Sequence, residues 1–220
     1  MPTGGPAVRL TGRRDDAGLT VIELLIAIAV LAVITVPLGN AVIGFLRSSD
    51  EAVERMVLSH DAQISAAYFA RDVASLGIRD YSGDVDASGT VPFKASVQTA
   101  AAFNAGGFVC GSAATPTAAV RFLSDNWNTS GSTAVVATDV VAYYLRAVGS
   151  VSELHRLKCA GATVSDIVMA HNVDPATVSV TCSSTCTGTA APEQVTLSFT
   201  VRSPKAIPYP IALTGQRRQT

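Results

Sequence analysis

Gly18-Leu19-Thr20-Val21-Ile22-Glu23-Leu24-Leu25-Ile26-Ala27-Ile28-Ala29 joins a polar segment to an apolar one. Up to Gly18 the chain is polar, with Arg9, Arg13 and Arg14 ahead of Asp15 and Asp16, whereas Leu24 to Leu46 carries no charge. Those roughly 23 apolar residues reach about 35 Å as a helix, against about 30 Å of bilayer hydrocarbon, so they are long enough to span. The arginines precede the run and most of the chain follows it. By the positive-inside rule this predicts a cytoplasmic N-terminus and an exported remainder. A secretory signal peptide has a shorter apolar core followed by a small-residue cleavage site, and Ala27-Ile28-Ala29 sits too early to serve. Glu23 stands at the very start of the run, where a carboxylate is expensive in lipid and marks a candidate functional residue. A plain signal anchor would explain Glu23 through the helix dipole, but not its joint occurrence with Gly18 and the polar leader.

Past Leu46 the helix is expected to continue. From Ser49 to Leu76 the residues Val53, Val57, Ile64 and Tyr68 recur at spacings of four, seven and four, with Glu54, Arg55, Asp61 and Arg71 interleaved along the segment, as an amphipathic helix requires. Gly77 is a candidate stop. A helix from Leu19 to Leu76 would be about 85 Å long, with Pro37, Gly39 and Gly44 as weak points. Its first half would serve the membrane, and its second half would pack on a head domain.

Beyond Gly77 the pattern changes to loops and short alternating stretches. In Gln194–Arg202, Val195, Leu197, Phe199 and Val201 face one way while Gln194, Thr196, Ser198 and Thr200 face the other, which predicts a half-buried strand. Val140–Arg146, Leu154–Lys158, Ile167–Val173 and Thr177–Cys182 read as further strands. An antiparallel sheet on the second half of the helix, an α+β fold, is the economical arrangement.

The chain's 220 residues and formal net charge of -1 leave room for one ordinary domain plus an anchor, and no broad basic field to attract nucleic acid. Cys110, Cys159, Cys182 and Cys186 all lie beyond the apolar run, and an even number on the exported side permits two disulfides in any of three connectivities. Cys182–Cys186 would close a short loop and Cys110–Cys159 a long one, and this pairing is the one expected. Zinc is the weaker reading, because Cys110 and Cys159 do not form a second knuckle.

The stretch Gly18-Leu19-Thr20-Val21-Ile22-Glu23-Leu24-Leu25 resembles the processing and methylation motif of type IV prepilins and type II secretion pseudopilins. The resemblance implies cleavage by a prepilin peptidase between Gly18 and Leu19, methylation of the new Leu19 amine, and retention of Glu23 as an assembly residue. Leu19 replaces the phenylalanine usual in the family, and Pro37 lies a little earlier than the usual proline. The order Tyr143-Tyr144-Leu145-Arg146, then Leu154-His155-Arg156-Leu157, then a late strand, is more loosely similar to W-type minor pilins and J-type pseudopilins.

The organisation expected is therefore a leader over 1–18, a transmembrane or filament-core helix over 19–46, its amphipathic continuation over 47–77, and an extracellular β-rich head over 78–220. The function implied is that of a structural subunit. Its partners would be the peptidase, other pilin or pseudopilin subunits, an inner assembly platform and membrane lipid, with no cofactor, metal or nucleic acid. The competing class is a membrane-anchored extracellular enzyme or adhesin with an unprocessed signal anchor. Gly-X-Ser-X-Gly, His-Glu-X-X-His and phosphate-loop signatures do not occur. His60, His155 and His171 are expected at the surface or at interfaces. Asp84 with Asp86 is a weak calcium signal, and Asn128-Thr129-Ser130 is a short glycosylation pattern.

Overall fold

The computed structural model describes residues 20–87, 89–128, 135–203 and 207–218. The chain divides into two compact units, Met1–Ser49 and Asp50–Thr220. Helix α1 runs Val21–Ala74. In the first unit its large apolar side chains, Val21 through Leu46, are exposed, as a segment built for lipid or for other helices would leave them. The helix is continuous across Pro37, whose ring removes the N–H that Val33 would otherwise receive. Two residues earlier, Thr35 Oγ1 donates to the Leu31 carbonyl at 2.8 Å.

In the second unit, α1 from Asp50 onward is followed by β1 (Val97–Ala101), a 3-10 turn (Ala105–Gly107), β2 (Ala118–Asn128), β3 (Val135–Val148), β4 (Val151–Ala160), β5 (Thr163–Cys182), β6 (Gln194–Val201) and β7 (Tyr209–Gln216). The strands form one antiparallel sheet in the order of the sequence. This is the expected α+β architecture. The alternation in β6 holds residue by residue, with Val195, Leu197, Phe199 and Val201 buried. The two stretches Ile167–Val173 and Thr177–Cys182 belong to a single strand. The register of β5 against β6 shifts between Asp174 and Ser179, around Pro175, which is why its sequence reads as two.

The helix face that packs on the sheet is not the expected one. Val53, Val57, Ile64 and Tyr68 are exposed, while Leu58, Ser65, Phe69, Asp72 and Val73 are buried. Phe69 packs edge-on against Phe122 and Tyr143, with ring centroids 5.5 and 5.3 Å away. Ser65 Oγ donates to the Met169 carbonyl at 2.7 Å, which satisfies the one hydroxyl on that face. Two polar residues on the buried stripe hide it from a count of apolar side chains. Gly77 does not cap the helix, which ends three residues earlier. At φ 136 it starts the return toward the sheet, with its N–H bonded to the Leu123 carbonyl at 3.0 Å.

The opposite face of the sheet holds a second core of Ile78, Leu123, Val140, Ala142, Tyr144 and Leu157. Arg121, completely buried there, holds the segment after β1 in place. Its guanidinium donates to Gln98 Oε1 at 2.8 Å and to the carbonyls of Ala102, Phe103, Ala105 and Phe108. Burial pulls its pKa below the usual arginine value, yet a ring of carbonyl oxygens suits the cation.

Candidate processing and assembly site

Gly18 and Leu19, the residues of the expected cut and methylation, lie outside the described residues. Thr20 and Glu23 are described, and they form a reciprocal cap. Glu23 Oε2 accepts from the Thr20 N–H at 3.4 Å and from Thr20 Oγ1 at 3.3 Å, while the Glu23 N–H donates to Thr20 Oγ1 at 3.4 Å. This is the Thr-X-X-Glu capping box, which satisfies donors that a helix N-terminus leaves orphaned. The spacing was present in the sequence, but an account of Glu23 through lipid cost alone passes over it. Glu23 therefore has a local role besides any contact with another chain: it fixes where α1 begins.

At the other end of α1 an ion pair ties helix to sheet. Asp72 receives Arg156 Nε and Nη2 on its two oxygens, both at 2.6 Å, and Tyr143 donates its hydroxyl to Asp72 at 2.6 Å. Asp72 and Arg156 are 4% and 6% exposed, so this is a forked pair removed from water. Burial works to lower the Arg156 pKa, but the hydrogen bonds and charge of Asp72 outweigh it and the net shift is upward. Burial and then the Asp72 charge push the Tyr143 hydroxyl far above its ordinary value, so it stays a donor. The Arg156 guanidinium also lies 5.1 Å from the Tyr68 ring centroid. Nothing in the sequence separates Asp72 from the solvated charges around it, since its partners are 71 and 84 residues away.

Cys110 is joined to Cys159 and Cys182 to Cys186. The first bond ties the segment before β2 to β4 within the second core, and the second closes the turn after β5. Non-reducing peptide mapping is expected to recover these two cross-links, each contributing about 2–4 kcal/mol. A peptide joining Cys110 to Cys182 or Cys186 would contradict the arrangement.

Of the histidines, His60 and His171 are exposed, and His171 Nδ1 lies 3.3 Å from Asp61. His155 departs from expectation: it is 5% exposed, sits between Asp166 and Glu153 at 3.1 and 3.2 Å, and stacks on Tyr144. It faces the second core because β4 alternates, sending Arg156 toward the helix and His155 away. Burial, then the hydrogen bond to Asp166, raises the Tyr144 pKa to about 12. Asp86 accepts the Thr90 N–H at 2.8 Å, a turn-stabilising role. Among the described residues no three His, Cys, Asp or Glu side chains are placed to hold a metal. Thr129 and Ser130 lie outside the described residues.

The family described as the prokaryotic N-terminal methylation motif matches residues 13–39. That interval contains Gly18, the capping box and the start of the exposed apolar helix. Together, motif, helix and antiparallel sheet support the type IV pilin and pseudopilin superfamily, a family of structural subunits. The motif indicates a membrane-anchored, pilin-like protein and implies processing by a prepilin peptidase and assembly with other pilin subunits. No curated protein matches the chain.

Proposed function

We infer that this chain is a minor pilin or pseudopilin, of the W or J type, that helps to start or cap a filament. The observation that carries the reading is the methylation motif placed directly on an apolar helix whose side chains are exposed along its whole first unit. Before assembly the helix sits in the cytoplasmic membrane with the N-terminus inside and the head outside. Prepilin peptidase removes residues 1–18, the Leu19 amine is methylated, and an inner assembly platform moves the chain from lipid into a bundle of like helices. Residues 19–46 then serve as filament core, 47–77 as the connecting amphipathic helix, and 78–220 as the exported head. The large head, carrying the two disulfides, favours a minor subunit over a major one.

Gly18→Glu tests processing. The peptidase must accommodate the residue before the cut, so the variant is expected to keep its leader and remain in the membrane fraction. Normally processed protein recovered from the variant would contradict the reading.

A further inference from the structure

The outer edge of β7 borders a groove of about 580 Å³ whose other wall is α1. Ala67, Ala70 and Ala74 line the helix side, and Thr214, Gly215 and Gln216 line the strand side. β7 ends the sheet: among the described residues it pairs with β6 and with no other strand. In an antiparallel pair every second residue turns its N–H and C=O away from its neighbour, so β7 offers a row of main-chain groups with no strand partner. Helix and strand are pinned together at Gly215, where a Cβ would stand 2.5 Å from Val73 Cβ, and the Arg218 N–H closes one end by donating to the Ala74 carbonyl at 3.1 Å. The gap is thus set by rigid elements.

Its charge is one-sided. The charged lining residues are Arg71, Arg217 and Arg218, with no carboxylate among them. The Arg217 guanidinium lies 4.4 Å from the Phe93 ring centroid, which leaves Arg71 and Arg218, both exposed, as the cations facing an incoming chain. A phosphate-bearing polymer would use the arginines but have no need of a strand edge. A peptide that adds as a strand uses the edge for affinity and its side chains for selection.

We propose that this groove takes an extended acidic peptide segment of a partner protein, which adds to β7 as a further strand and sets carboxylates against Arg71 and Arg218. Capture of this kind uses the head and is independent of the N-terminal motif.

The test is fluorescence anisotropy on the full-length protein in detergent micelles, with a labelled, end-blocked peptide of alternating valine and glutamate as probe. Saturable binding that weakens as salt is raised is expected. Affinity is expected to fall by about tenfold or more in each of three comparisons: lysine replacing glutamate in the peptide, N-methylation of alternate peptide nitrogens, and the Arg71→Glu/Arg218→Glu variant. Ala67→Trp, at an exposed helix position, fills the groove without changing charge and is expected to give a similar loss. No saturable binding up to about 1 mM, equal binding of the lysine peptide, or indifference to N-methylation would overturn the proposal. So would sedimentation showing that copies of the chain pair through β7 while the peptide is refused.

Discussion

Replacing Glu23 with alanine is expected to leave membrane insertion and cleavage after Gly18 largely intact, and to lower the chain's recovery in sheared filaments by at least about tenfold. On the proposed function, cleavage would leave a cationic amine on Leu19, close along the chain to Glu23, and both would enter a packed bundle of apolar helices. Either charge alone would be costly there, while a pair offsets much of the desolvation. If the amine belongs to a neighbouring subunit, as the family resemblance implies, the pair also sets the axial position of the incoming chain. The cap between Thr20 and Glu23 makes glutamine the informative substitution. Glutamine serves in a capping box almost as glutamate does, so a purely local role predicts a normal Glu23→Gln variant. The charge-pair account predicts a defect near that of alanine, and wild-type levels of both variants in filaments would sink it.

Asp72→Ala is expected to destabilise the second unit by about 3–5 kcal/mol, because it strands the Arg156 guanidinium away from water and removes the acceptor of Tyr143. At this chain length that corresponds to a fall in Tm of about 10 °C. Removing both charges, as in Asp72→Leu with Arg156→Met, is expected to recover much of the loss, since a buried pair replaced by apolar side chains of similar volume costs little. Thermal denaturation followed by circular dichroism reads both variants. If the double variant is no more stable than Asp72→Ala alone, the cost lies in packing and not in an uncompensated charge.

The parts of the fold legible in the sequence are those governed by a local rule. An uncharged run long enough to span, and strict alternation in β6, each declare their structure within one element. The helix face is not local. Val53, Val57, Ile64 and Tyr68 form the more apolar stripe, yet the sheet selects Leu58, Phe69 and Val73 together with Ser65 and Asp72, because Met169 and Arg156 supply their partners from distant strands. β2 was hidden by Arg121, a charge inside a strand whose carbonyl cage comes from residues 102 to 108. β7 was hidden by Pro210 and Gly215. The first sits in an edge strand, where its missing N–H is tolerated, and the second is required by Val73. At the candidate site, Gly18 and Glu23 stand out by residue type and position, whereas Thr20 has meaning only through its spacing to Glu23.

Intact-mass and peptide mass spectrometry of the protein in a sheared surface fraction reads processing and incorporation into a filament together. The account predicts a chain that begins at Leu19, heavier by one methyl group on its terminal amine. A chain that retains residues 1–18, or one found only in the membrane fraction, would contradict it.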